Sequence, residues 1–134
     1  MLKKIILGII IVGALGAIFG EHHTQPTLAA QPSATPEQVA ATEAKERAFQ
    51  RVVRTMQTIK NGARNPSSVE FEEVLASDDG VTVCATIRAQ NGFGGMNIEH
   101  VTGMLTVVST NKHDWNTHCA GKSLNDMTYA RRAL

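Results

Sequence analysis

Two cysteines, Cys84 and Cys119, are the only thiols in the 134-residue chain. A thiol pair bridges, binds a metal or exchanges electrons. No C-x-x-C is present, so a redox-active pair is not expected. His113, Asp114 and His118 lie beside Cys119, and His22-His23 forms a second group, which raises the possibility of a metal site. A five-residue histidine spacing outside a helix matches no zinc pattern, and a bridge would consume Cys119. No metal or cofactor is therefore expected. A small periplasmic enzyme or metal-binding protein using His113, Asp114 and His118 is the alternative. Glu70, Glu72 and Glu73 supply clustered carboxylates, but on a strand Glu70 and Glu72 face outward from Val69 and Phe71. No serine or cysteine has the local setting of an activated nucleophile, so no catalytic residue is assigned.

Asn91-Gly92-Phe93-Gly94-Gly95 is the other unusual segment. Its glycines permit positive φ or close backbone approach. That suits a turn between strands, a nest for an anion, or a loop that presents Phe93. It lacks the G-x-x-x-x-G-K-[ST] pattern of a phosphate loop. Asn91, Gly92, Phe93, Gly94, Gly95 and Met96 are the candidate partner-binding residues.

These residues must be held by a small number of elements. Thr35-Pro36-Glu37-Gln38 combines an N-cap threonine, a proline at the first helical position and a capping-box glutamine. Ala41, Ala44, Ala48, Phe49, Val52, Val53, Met56 and Ile59 recur at helical spacing, and Gly62 stands where a left-handed C-terminal residue belongs. The expectation is one helix over 36–61, whose alanine-rich first turns project. Asn65-Pro66-Ser67-Ser68 breaks it. Val69 to Ala76 and Val81 to Ala89 then predict a hairpin across the Asp78-Asp79-Gly80 turn. A third strand is expected over Val101 to Ser109, a turn over Thr110 to His113, an edge segment over Asp114 to Cys119, and a helix from Leu124 to about Arg132 capped by Ser123. The expected fold is α+β: a long helix on an antiparallel sheet of three to four strands, with a short C-terminal helix and one disulfide. Trp115 is expected to pack on that disulfide.

The compartment follows from the start of the chain. Lys3 and Lys4 precede an apolar run from Ile5 to Gly20, the charged and hydrophobic regions of a targeting segment. Its sixteen residues make about 24 Å of helix, against a hydrocarbon core of roughly 30 Å. The cleavage sites ending at Gly16 and Ala29 are both poor, so an uncleaved anchor and a cleaved signal both stand. Either outcome places the rest in the periplasm, anchored to the inner membrane or secreted. Residues 1–20 are thus the expected leader, 21–35 a Pro-containing flexible linker, and 36–134 the periplasmic domain. Export makes a Cys84–Cys119 disulfide the expected pairing. Without Lys3 and Lys4, eleven basic residues face 12 acidic ones. This balance argues against nucleic acid as a partner. Lys45, Arg47, Arg51, Arg54, Lys60 and Arg64 cluster before Asn65, either a solvated helix face or a basic strip for an acidic partner or anionic lipid.

Asn65-Pro-Ser-Ser-Val-Glu-Phe71, then Val83-Cys84, then Ala89-Gln-Asn-Gly-Phe-Gly-Gly95 together resemble small uncharacterised envelope proteins of Gram-negative bacteria and their phages. In these an N/D-P-x-S-x-x-F entry leads to V-C-G and then N-x-F-G-G-Y. The likeness covers about thirty residues, with Ala85 in place of the glycine and Met96 in place of the tyrosine. It implies a shared small fold with one cysteine pair, and no catalytic residue. The expected function is a non-enzymatic, membrane-anchored periplasmic interaction or accessory module, such as a phage-encoded exclusion or inhibitor protein, with an envelope or phage protein as partner.

Overall fold

The computed structural model describes residues 34–134. The expected leader over 1–20 and nearly all of the linker over 21–35 lie outside the described residues. Among those described, no helix is long and apolar enough to cross a membrane.

The helix start is as its residues dictate. Gln38 N donates to Thr35 Oγ1 at 3.3 Å and Thr35 N donates to Gln38 Oε1 at 2.9 Å, closing the capping box. Helix α1 runs Pro36–Gly62. Its residues 36–47 are exposed on every side, so about 18 Å of helix stands clear of the sheet. From Ala48 onward the apolar stripe of Val52, Val53, Met56 and Ile59 is buried. The C-terminal end departs from expectation. Gly62 is not left-handed; Ala63 follows in extended backbone (φ −71°, ψ 149°), its N–H returning to Lys60 O. An extended residue carries the chain onward to the 3-10 turn Pro66–Ser68 without reversing it.

Five antiparallel strands follow, two more than the minimum expected: β1 (Glu70–Ala76), β2 (Thr82–Gln90), β3 (Met96–Met104), β4 (Val107–Ser109) and β5 (Asn125–Asp126), in the order β4-β3-β2-β1-β5. A bulge between Phe71 and Glu73 shifts the register of β1 on β2. Without it, strict alternation from Phe71 would turn Glu73 inward and Val74 outward. With it, Phe71, Val74 and Ala76 are buried while Glu70, Glu72 and Glu73 are all exposed.

Helix α1 covers one face of the sheet, over Val74, Val83, Ala85, Ile87 and Val101. Each valine or isoleucine there contributes roughly 1.5–3 kcal/mol when buried, and this one face holds nearly all of the buried large apolar side chains. Two glycines set how closely the layers meet. A Cβ at Gly103 would overlap Thr55 Cγ2, and one at Gly80 would overlap the Ala48 carbonyl. Gly80 also has φ +69°, as the Asp78-Asp79-Gly80 turn requires.

The opposite face carries Cys84, Thr86, Arg88, His100 and Thr102. Helix α2 (Lys112–His118) lies over one end of it, fastened by the Cys84–Cys119 disulfide with a Cα–Cα distance of 5.7 Å. The expected pairing is therefore formed.

Three expectations fail in this second half. The single strand expected over Val101 to Ser109 is two, β3 and β4, joined by the two-residue loop Leu105-Thr106, with Leu105 at φ 54°. β3 also begins at Met96, five residues early, so Met96 belongs to the strand. The expected edge segment over Asp114 to Cys119 is helical, because Asn111 Oδ1 accepts from His113 N at 2.8 Å and Asp114 sits in the first turn. Finally, Ser123 caps nothing: Asn125 and Asp126 pair with β1, and a 3-10 helix, Thr128–Ala133, follows.

Candidate interaction site

The 91–95 segment is a built hairpin loop. Asn91 N donates to Gly95 O at 2.7 Å, and Gly94 N to Asn91 O at 3.2 Å. The Asn91 side chain fills the interior: Oδ1 accepts from Phe93 N (2.9 Å) and Gly95 N (3.0 Å), and Nδ2 donates to Asn97 Oδ1 (3.2 Å). The backbone N–H groups that would cradle an anion are thus occupied by the loop's own carboxamide. Gly94 takes φ +87°, which a side chain would strain.

The loop is tied to the segment that ends α1. Asn65 Nδ2 donates to Gln90 Oε1 at 2.7 Å, Gln90 Nε2 donates to Gly94 O at 3.2 Å, and Gln90 N donates to Ser68 Oγ at 2.9 Å. Asn65-Pro-Ser-Ser and Asn91-Gly-Phe-Gly-Gly, distant in sequence, form one polar network. Its product is a fixed loop whose Phe93 is wholly exposed.

Phe93 stands at the mouth of a groove of about 800 Å³ between the end of α1 and the adjoining parts of β2, β3 and β4. Ile59, Ile87, Val101 and Val108 form its apolar floor, with Arg64, Asn97 and Glu99 among its polar groups. Arg64 lies over Gly92, where a Cβ would come within 3.0 Å of Nη1. On the opposite face a second hollow, of about 610 Å³, is lined by Glu99, His100, Thr110, Lys112, Trp115 and Asn116. Trp115 does not pack as core. It is half-buried and its ring lies against His100 with centroids 4.6 Å apart, while His100 Nδ1 meets Thr86 Oγ1 at 3.2 Å.

The other candidate residues are not brought together. Because residues 112–118 are helical, His113 and His118 are turned about 140° from each other around the axis. Asp114 is engaged by the Ser109 hydroxyl at 2.5 Å. Among the described residues, no group of three His, Cys, Asp or Glu side chains could hold a metal ion. Of the basic cluster, Arg47, Arg51 and Arg54 share one outer side of α1. Arg47 pairs with Glu43 at 3.5 Å, and Arg51 donates to Asp79 O at 3.0 Å.

Sequence reading found the loop but missed Glu99, Asn97 and the His100–Trp115 pair. The available signal was alternation: Met96, Ile98 and His100 against Asn97, Glu99 and Val101 is a strand pattern. Comparisons with protein-family models, curated proteins and solved structures find no match for this chain.

Proposed function

We propose that the chain is a non-enzymatic interaction module of the bacterial envelope, held at the membrane by residues 1–20 and displaying the α+β domain through the linker and the projecting start of α1. An envelope or phage-encoded protein is the partner, and exclusion or inhibition is the role that suits this layout. The observation that carries the reading is the hairpin tip: a loop fixed by five hydrogen bonds of Asn91 that holds Phe93 in solvent beside an apolar groove. Pre-organisation of this kind removes the ordering cost from binding. An exposed aromatic next to a groove is a typical anchor.

Pull-down from envelope extracts with the full chain tests it. Gly92→Ala combined with Phe93→Ala is expected to lose the bound partner, and an unchanged set of captured proteins would sink the reading. Fractionation tests the placement, since full-length protein in the membrane fraction is expected. A mature form beginning near Ala30 in the soluble periplasm would replace the anchor with a cleaved signal.

A further inference from the structure

Resting on that reading, we propose that the partner binds as an added strand: an extended segment of about five residues, alternating acidic with apolar side chains, pairs with the bare half of β3. The ladder defines that half. Leu105 N donates to Val81 O and Asn91 N to Gly95 O, so the odd-numbered residues of β3 and its flanks direct their backbone groups toward β2 and the even-numbered ones direct theirs away. Thr102 and Met104 meet β4 on the outward side, but among the described residues no strand pairs with Met96, Ile98 or His100 there. Met96 and Ile98 stand exposed on this edge, an uncovered template for another strand.

The space along the edge sets the size of its occupant. It runs from the hairpin tip at Gly95 to the end of β4 at Ser109, room for about five residues, roughly 17 Å. The same edge of a second copy does not fit, because its own hairpin tip would run into β4. A free extended segment that stops or turns away at β4 does fit.

Side chains of a strand alternate between faces, and here each face offers a receptacle. The groove on the α1 face and the hollow on the α2 face both reach Glu99 and Thr110, so they meet along this edge from opposite sides. In an antiparallel segment, residues opposite Asn97 and Glu99 turn into the groove, whose floor is apolar and which Phe93 borders. Residues opposite Ile98 and His100 turn toward Trp115 and Lys112. Charge selects what this second set carries. Among the described residues Lys112 has no salt-bridge partner, and the neighbouring carboxylate of Asp114 is engaged by the Ser109 hydroxyl. On the groove side Arg64 and Glu99 carry opposite charges that offset each other. The α2 side therefore favours carboxylates, and the α1 side favours apolar side chains.

Titration of the full chain in detergent with a capped Glu-Val-Glu-Val-Glu peptide tests the pairing, read by the fluorescence of Trp115, the only tryptophan of the chain. Saturable binding is expected. Ile98→Pro removes an outward N–H, leaves the β2 ladder whole and should abolish binding. N-methylation of the peptide's central glutamate blocks an N–H directed at β3 and should abolish binding too, whereas N-methylation of a valine blocks one directed away and should not. Lys112→Glu should weaken binding about tenfold and turn the preference to Lys-Val-Lys-Val-Lys. A wild type that binds neither peptide overturns the proposal, as does binding indifferent to Ile98→Pro, N-methylation that acts alike at both positions, or an unchanged preference in Lys112→Glu. An envelope partner captured through Phe93 and still captured by Ile98→Pro would remove strand addition alone and leave the interaction-module reading standing.

Discussion

The two borders of the sheet are finished in opposite ways. At the β1 border every outward backbone group with a described partner is satisfied from the C-terminal segment. Val74 N donates to Thr128 Oγ1 at 3.0 Å, Met127 N donates to Val74 O at 2.8 Å, Arg131 reaches Phe71 O at 3.4 Å, and Asn125 and Asp126 continue the ladder. Ala130, fully buried, plugs the same border into the core. At the β3 border β4 pairs with only Thr102, Gly103 and Met104 before the chain turns into α2. A fold that closes one edge with its C-terminal segment and, among the described residues, leaves residues 96–101 of the other edge without a strand partner treats its two borders differently: the first holds the domain together, the second keeps its outward backbone groups free.

The largest expected effect breaks the closed border. Ala130→Asp forces a carboxylate into a site with no room or partner and should cost about 4 kcal/mol or more, read from denaturant unfolding. Ile98→Lys, the matching insult at the open border, should change unfolding by no more than about 0.5 kcal/mol. Equal costs at the two sites would end the distinction. The next effect concerns the only covalent fastening on the open side. Cys84→Ser with Cys119→Ser should lower stability by roughly 3 to 4 kcal/mol through loss of a closed loop of about 35 residues. Hydrogen exchange in that variant should speed up in α2 and β4, where Thr110 leads from one to the other, while the amides of Val74 and Met127 stay protected.

The closed border was less legible in the sequence than the open one is in the structure, and the reasons are local. Thr35-Pro-Glu-Gln and the stripe from Ala48 to Ile59 announce α1 because capping and periodicity agree. Val81 to Ala89 announces β2 by alternation, and two cysteines behind an apolar, lysine-led start announce their bridge. The Leu105-Thr106 turn carries no Gly or Asn, so Met104 to Val107 resembles uninterrupted strand and hides the division into β3 and β4. β5 is two residues long, too short for any period, and exists only because β1 is there to pair with it. Asn111 and Asp114 were a cap signal for α2 that a reading as turn plus edge strand passed over. The link from Asn65 through Gln90 to Gly94 is tertiary, joining segments 25 residues apart, and no local pattern encodes it.

Thr128→Val sharpens the comparison at a single hydrogen bond. It removes the acceptor of the Val74 N–H and should cost about 1–3 kcal/mol, because a shape-conserving change leaves a donor of the sheet unpaired. Ile98→Pro deletes an N–H on the open border and should cost clearly less, since among the described residues that group has no partner to lose. Thermal unfolding of the two variants side by side gives the order, and a proline more damaging than the valine would mean that the β3 edge is closed after all.

The smallest effect is a response to acid. Hydrogen bonds from the Ser77 hydroxyl and the Val81 N–H hold Asp79 below the ordinary carboxylate range, and bonds from Thr128 do the same for Asp126. Both belong to the closed border: Asp126 lies in β5, and Asp79 sits in the turn whose Asp78 accepts from Asn125 at 2.7 Å. A carboxyl held below its unfolded value, about 3.9, stabilises the fold above that value and loses the contribution as pH falls through the lower folded one. Acid should therefore loosen the β1 border first. Amide exchange at Met127 and Thr128 should rise as pH drops below about 4, after correction for the intrinsic rate, with the β2–β3 ladder unchanged. Asp126→Asn should flatten that response, because an amide at this position has no proton to gain and Thr128 bonds it alike at either pH. If both borders loosen together, the carboxylates merely report on global unfolding, and the closed edge is not a unit of its own.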